Sequence, residues 1–394
     1  MNIRSLLVVL YSAGLSVTGF ILRWIKPRKR VVFLVSFQDN ARALLKEYER
    51  KTNRPFEVCV LYTRHAASLA KEFPAVKSKW LSESNPFHII QAVYHMFRSE
   101  CVITDNYFLI TSVLNNRPQT KCIQVWHANG ALKKFGLEDV ANKHRTAADI
   151  KRFKKVYRSF DYIAVGSDKM AEIFKRSFGA KEEKFLRTGV PLTDQYFDSE
   201  PKASFVQTKK VILYAPTYRD YDMASLNLPF TKEQLLKDLN GEYELWVKLH
   251  PAVRKRIELD ESDGCFKDVS EHPLQDLLYA CDVLVSDYSS VPFEFALLNK
   301  PMLFYTYDMA QYDENRGLID DFERVIPGKA CFKRDELLEE LKQIGEQNEN
   351  IQHFAAEWNS YSKGDSSRKL LDFVHQLLMQ SETEKSVRRK QEKG

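Results

Sequence analysis

Apolar positions in this chain fall into short runs that alternate between two periods. Val31-Val32-Phe33-Leu34-Val35 is a continuous apolar run between Arg30 and Ser36, the pattern of a strand buried on both faces. Asn40–Lys51 then reads as helix, Phe56–Tyr62 as strand and Ala66–Phe73 as helix. Ile89–Phe97 is helical, Cys101–Thr104 and Lys121–Trp126 are strands, and Ile150–Tyr157 is a basic helix. Tyr162–Val165 is a further strand and Lys169–Phe178 a further helix. A second round opens at Lys210–Tyr214 and continues through Leu245–Leu249, Val283–Val285 and Met302–Tyr305. Strands alternating with helices predict parallel sheets covered on both faces. Two rounds predict two doubly wound domains facing each other. Ligands then lie at the carboxyl ends of the strands, in the cleft between them.

With 394 residues the chain is too long for one ordinary core, in keeping with that division. The expected layout is an N-terminal segment (1–30), a first domain (31–195), a second (196–380) and a charged, disordered tail (381–394). Gly189-Val190-Pro191-Leu192-Thr193-Asp194 reads as the hinge, and Asp194–Gln207 as the linker. Ser5–Leu22 is nearly free of charge and marginal in length for a membrane span. Arg23, Lys26, Arg28, Lys29 and Arg30 follow it, and no small-residue cleavage site precedes Val31. The favoured reading is a helix in the membrane interface with its basic residues on anionic lipid. A span, or a helix packed on the first domain, stays open.

A hydrophobic content of 44% and a charged content of 28% describe a soluble globular chain. The net charge of +6 suits an anionic substrate or an anionic lipid surface. No nucleic-acid-binding signature is present. Six scattered cysteines without a C-x-x-C pair argue for a reducing compartment and against a cysteine zinc site.

The strongest chemical signal is Ser286-Asp287-Tyr288-Ser289-Ser290-Val291-Pro292-Phe293-Glu294, directly after the strand Val283–Val285. Strand, small polar turn and helix start together suit a phosphate or diphosphate, with hydroxyls from Ser289 and Ser290. The same layout also fits an ordinary N-cap. His127, in Trp126-His127-Ala128-Asn129-Gly130, sits just past a strand end and is a candidate general base, or a histidine that caps its own turn. His250, in Lys248-Leu249-His250-Pro251, holds the matching place in the second domain. In Tyr214-Ala215-Pro216-Thr217-Tyr218-Arg219-Asp220, Pro216 fixes the turn, Thr217 offers a hydroxyl and Arg219 a fork for phosphate. An Arg219–Asp220 surface turn is the rival. Ser366 and Ser367 open a late helix and are a second candidate anion site. Asp105, Asp220 and Asp287 are strand-end carboxylates, separated and not patterned as a dyad, and no metal constellation is visible. Walker, dinucleotide, zincin and Gly-x-Ser-x-Gly motifs are missing from the sequence.

Taken in order, Trp126–Gly130 with Lys133-Lys134, Gly189-Val190-Pro191, Tyr214–Asp220, His250-Pro251 and Asp287-Tyr288-Ser289-Ser290 resemble the CDP-glycerol glycerophosphotransferase family. The resemblance covers nearly the whole chain. It implies a GT-B-like fold and peripheral association with the cytoplasmic membrane face. It also implies transfer of glycerol phosphate from CDP-glycerol to an undecaprenyl-diphosphate-linked acceptor in teichoic acid synthesis. Asp105-Asn106-Tyr107-Phe108 and the short N-terminus match the priming members, whose acceptor is an N-acetylmannosaminyl-N-acetylglucosamine lipid. Lys363-Gly364 stands where many relatives have Asp-Gly, which weakens the case for Ser366 and Ser367.

The roles that follow make His127 the base and His250 a second catalytic group. Pro216, Thr217, Arg219, His250, Asp287, Ser289, Ser290, Ser366 and Ser367 hold CDP-glycerol. Asp105, Asn106 and Asn129 face the acceptor. No cofactor or metal is called for, and contacts with other teichoic acid enzymes are expected. The competing readings are a later transferase or polymerase of the pathway, a GT-B nucleotide-sugar glycosyltransferase, and a non-enzymatic membrane module.

Overall fold

The computed structural model describes residues 3–197, 205, 207–219, 227–254, 259–346 and 348–391. Asp220 and most of the expected linker lie outside them. Among the described residues the first sheet has seven parallel strands: β1 (Arg28–Val35), β2 (Glu57–Tyr62), β3 (Lys77–Trp80), β4 (Ser99–Thr104), β5 (Lys121–Gln124), β6 (Tyr162–Ala164) and β7 (Phe185–Leu186). Their spatial order is β3-β2-β1-β4-β5-β6-β7. The second sheet has six: β8 (Lys210–Tyr214), β9 (Tyr243–Val247), β10 (Phe266–Asp268), β11 (Val283–Ser286), β12 (Met302–Tyr305) and β13 (Ala330–Cys331). Their order is β10-β9-β8-β11-β12-β13, again all parallel. The two sheets therefore share one winding, 3-2-1-4-5-6, and the strand order reverses beside the first strand of each. This is the expected pair of Rossmann-type domains in a GT-B-like arrangement.

The apolar run read as the first strand is fully buried, from Val31 through Val35. The strands that the hydrophobic pattern missed are β3, β7, β10 and β13. All are short, and β3, β7, β10 and β13 stand at sheet edges, where one flank needs no apolar partner.

Two expectations about the chain's end are corrected. The helix Ser366–Gln391, assigned to the second domain, returns to the first. Leu370, Leu371, Val374 and Leu378 join a core with Val31, Phe33, Val35 and Leu44. The segment from Ser381 is helix as far as Gln391 where disorder was expected. Glu, Lys, Arg and Gln are good helix formers, and the helix is already nucleated by its packed first half.

The N-terminal helix Ile3–Ile21 packs Leu15 into the first-domain core, with Tyr11 and Leu22 partly buried against it. Val9, Leu10, Val17, Phe20, Ile21 and Trp24 stay exposed. Among the described residues no helix is long and apolar enough to cross a membrane. All six cysteines are buried free thiols.

Candidate functional site

The same carboxylate clamp occurs at both reversal points. In the first domain Asp105 follows β4, and its carboxylate accepts the backbone N–H groups of Ser36 (3.0 Å) and Phe37 (2.7 Å) from the loop after β1. In the second, Asp287 follows β11 and accepts the Thr217 N–H (2.9 Å) and hydroxyl (2.7 Å) from the loop after β8. Both carboxylates are buried. Each clamp pulls the loop after the domain's first strand onto the neighbouring strand's end.

His127 is built on the first clamp. Its Nδ1 lies 3.1 Å from the Asp105 carbonyl. A carbonyl can only accept, so Nδ1 carries the proton and Nε2 keeps its lone pair. The Phe37 backbone is held by the Asp105 carboxylate and its ring stacks on the imidazole at 4.2 Å, while the Trp126 ring lies 4.2 Å from the imidazole, tilted by 33°. Burial among these rings drives the His127 pKa down to about 4, with Lys133 pushing the same way. The imidazole is neutral at physiological pH and is therefore in the form a base requires. Burial pushes Asp105 up to about 7, against the pull of its N–H donors.

The peptide before His127 is strained, because Trp126 adopts φ 57°, rare for a bulky residue. Two buried amides hold it there. Gln124 Oε1 accepts the Trp126 N–H (2.8 Å), and Asn40 Nδ2 donates to the Trp126 carbonyl (3.0 Å). Asn40 Oδ1 in turn accepts the Leu192 N–H (2.8 Å) in the hinge. Neither Asn40 nor Gln124 was singled out from the sequence. Asn40 opens a helix-like run and Gln124 sits in a strand, so nothing local marked them.

The loop after His127 seats the first domain on the second. A Cβ on Gly130 would stand 2.5 Å from the Phe293 ring, so only glycine permits this approach. Asn129 is buried and donates to Asn359, whose own amide donates to the Phe293 carbonyl (3.1 Å). Asn129 thus joins the domains and is not placed to meet an acceptor. Lys134 N–H donates to Gly317 O (2.9 Å) and Ile319 N–H to Leu132 O (3.1 Å), a second backbone tie. The Arg316-Gly317 turn belongs to this tie. Lys133, half-buried, lies within electrostatic reach of Asp287, Arg219 and Arg316.

Several second-domain assignments change. Arg219 is buried and spends its guanidinium on Asp287 (2.9 Å), Asp308 (2.5 and 3.0 Å) and the Thr217 carbonyl (2.7 Å). It shapes the site and has no fork left for phosphate. Thr217 and Asp287 are likewise used on each other, with Pro216 at the head of their loop. Ser289 Oγ contacts Ser286 Oγ (3.1 Å) and accepts the Val291 N–H (3.3 Å), so it is a cap. Ser290 is half-buried and makes no side-chain cap bond, which leaves its hydroxyl for a ligand. The helix it opens, Val291–Phe295, is only one turn and a half. His250 is exposed after β9, its ring 4.7 Å from Tyr218 on the loop of Thr217 and Arg219.

Ser366 and Ser367 do not join this site as an open anion cradle. Their backbone N–H groups already hold the Asp194 carboxylate (2.8 and 2.7 Å). Gly189, at φ 84°, lies under them; a Cβ there would stand 2.7 Å from the Tyr361 carbonyl. The motif is a latch on the hinge. Asn106 donates to Ser36 Oγ (3.0 Å), accepts the Tyr107 N–H (2.8 Å) and remains half-buried.

The family model for CDP-glycerol:poly(glycerophosphate) glycerophosphotransferase matches residues 18–376. The chain belongs to that family. It is thus an enzyme of the CDP-glycerol glycerophosphotransferase type, in teichoic acid biosynthesis. It is 53% identical to the teichoic acid glycerol-phosphate primase of Bacillus subtilis (strain 168), across 96% of this chain and 100% of that one. Against the Staphylococcus aureus (strain NCTC 8325 / PS 47) primase the identity is 30%, over 89% and 92% of the two chains. The solved structure of the wall teichoic acid polymerase TagF superposes with a TM-score of 0.75 at 21% identity, covering 96% of each chain, which bears on the fold alone.

Proposed function

We propose that this glycerophosphotransferase is a primase. It transfers sn-glycerol 3-phosphate from CDP-glycerol to a hydroxyl of an undecaprenyl-diphosphate-linked N-acetylmannosaminyl-N-acetylglucosamine, and CMP leaves. The observation that carries the reading is the meeting of His127's loop with the Ser290 turn, through Gly130 and Phe293. It ties the loop that carries a neutral base to the turn that carries an uncommitted hydroxyl. The 53% identity along the whole of a chain named as a primase supports the priming role.

His127 Nε2 takes the acceptor hydroxyl's proton. The freed oxygen attacks the β-phosphorus, and the bond from that phosphorus to the oxygen bridging it to the cytidylate phosphorus breaks. Ser290, His250, Lys133 and backbone amides of the turn hold the diphosphate and offset its developing charge. A base of pKa about 4 is weak, but an anionic diphosphate beside the imidazole raises it. Work is done on the cytoplasmic face of the membrane, where the acceptor's polyprenyl tail is anchored, with the exposed apolar face of Ile3–Ile21 on anionic lipid.

The test is incubation with CDP-glycerol and a lipid-linked disaccharide analogue, followed by product mass. A gain of one glycerol phosphate, with CMP released, is expected. A ladder of many units marks a polymerase, and release of a nucleoside diphosphate marks a glycosyltransferase. Either would overturn the proposal.

A further inference from the structure

We propose that the cavity beneath the N-terminal helix is a binding site for one anionic glycerophospholipid, headgroup and upper acyl chain together. The inference rests on reading that helix as membrane-seeking, and it adds a built pocket to what was only a surface. The helix Ile3–Ile21 contacts Pro86–Phe97 and the segment Leu109–Asn116. Gly19 has no side chain to fill the gap, and a cavity of about 350 Å³ remains.

Its wall has two characters. Leu15, Phe20, Phe97 and Val113 are apolar. Arg23, Arg117 and Lys155 are cationic, and among the described residues no carboxylate lines it. The Arg117 guanidinium is buried and donates to the carbonyls of Arg23 (2.7 Å), Phe97 (2.7 Å) and Ile25. Carbonyl dipoles and the face of the Phe97 ring (4.4 Å) offset its charge there. Arg23 lies over the rings of Phe20 (3.8 Å) and Trp24 (4.8 Å). A concave cationic wall without counter-charge favours an anion. Apolar surface beside it is wasted on inorganic phosphate but suits the glycerol and first methylenes of a lipid. The same N-terminal segment exposes Val17, Phe20, Ile21 and Trp24, the last 78% exposed as an interface anchor would be.

The experiment is vesicle flotation of the full chain on phosphatidylcholine, with and without phosphatidylglycerol. Gly19→Leu fills the cavity without changing charge. A Cβ at Gly19 meets Val113 at 3.7 Å and Phe97 at 3.8 Å, ordinary contacts, so the helix should stay packed. Lys155→Glu reverses one charge. Each variant should weaken binding to phosphatidylglycerol vesicles about tenfold and leave phosphatidylcholine binding unchanged. Soluble short-chain phosphatidylglycerol with brominated acyl chains, added without vesicles, should quench Trp24 in the unaltered chain, with Trp24→Phe as the background, and Gly19→Leu should abolish that quenching. Ile21→Ser with Trp24→Ser tests the helix face separately and should weaken binding to both vesicle types. If that double variant loses flotation while Gly19→Leu and Lys155→Glu float and quench like the unaltered chain, the pocket is refuted and the membrane-seeking helix survives. If the double variant floats normally, the helix reading itself fails. Displacement of the quenching lipid by a short prenyl diphosphate but not by soluble phosphatidylglycerol would assign the pocket to the acceptor and overturn the proposal.

Discussion

Asp105 and Asp287 occupy equivalent places in the two domains and are solvated by the protein in opposite ways. Asp105 is held by backbone N–H groups and a serine hydroxyl, with no cation against it among the described residues. Asp287 has the same kind of N–H donor but also Arg219, which Asp308 shares. One topology therefore yields an uncharged cradle and an ion-paired one. The uncharged cradle fixes the tautomer of His127 and sets Phe37 against its ring, and burial keeps the imidazole neutral. The ion-paired cradle sets one guanidinium against two carboxylates and cannot itself be the cation that meets a diphosphate. In the proposed mechanism that task passes to groups around it, Lys133 from the first domain among them.

The largest effect should come from the uncharged side. His127→Ala is expected to lower kcat by about 10²–10⁴-fold, the usual contribution of a positioned base. CDP-glycerol affinity by calorimetry should hardly change. A folded variant with near-normal turnover would remove His127 from the chemistry.

Arg219 breaks the comparison on the other side. As a phosphate ligand, its loss would weaken binding in a protein of normal stability. As the structure places it, Arg219→Ala strands Asp287 and Asp308 in buried surroundings. Removing one partner of such a group costs about 3–5 kcal/mol. Urea unfolding should show that loss, and Arg219→Lys should recover little of it, because an ammonium cannot serve both carboxylates as a fork.

Asn40 separates holding the base from being the base. Asn40→Asp keeps an acceptor for Leu192 N–H but loses the donor to the Trp126 carbonyl. With Trp126 released from φ 57°, kcat should fall by about 10²-fold while KM for CDP-glycerol stays near its original value. A rise in KM with kcat unchanged would mean that Asn40 serves the hinge alone.

How much of this was legible beforehand follows from how local each signal is. The strands β1, β8, β11 and β12 are continuous apolar runs, so period and length identified them. His127 and the Ser289–Ser290 turn were legible because a strand end followed by a small polar turn is a local pattern. Partners distant in sequence were not. Arg219 reads as a free fork until Asp308, 89 residues away, closes on it. Ser366 and Ser367 read as an anion site until Asp194 fills it from 172 residues away. A carboxylate that occupies a site from inside the protein leaves the same sequence mark as a vacant site.

The smallest effect, and the most direct test of the two cradles, is the dependence of stability on pH. Asp105 has a folded pKa of about 7, above its unfolded value near 3.9. Its contribution is fully present below about pH 4 and is lost as pH rises through 7. His127 has a folded pKa of about 4, below its unfolded value near 6.5. Its contribution is present above about pH 6.5 and is lost as pH falls through 4. Between pH 4 and 6.5 the two slopes oppose each other, so the unaltered chain should show little net change from this pair. Asp105→Asn should unmask His127, and stability should then rise with pH across that window. His127→Asn should unmask Asp105, and stability should then fall with pH. Each slope is at most about 1.4 kcal/mol per pH unit, the value for one proton. Glu294, pushed up to about 7 by burial, is common to all three chains and drops out of the differences. Urea midpoints at intervals from pH 4 to 7 would measure it. Parallel curves for the three proteins would mean that the Asp105 cradle is as well solvated as an open surface, and the contrast with the Asp287 clamp would collapse.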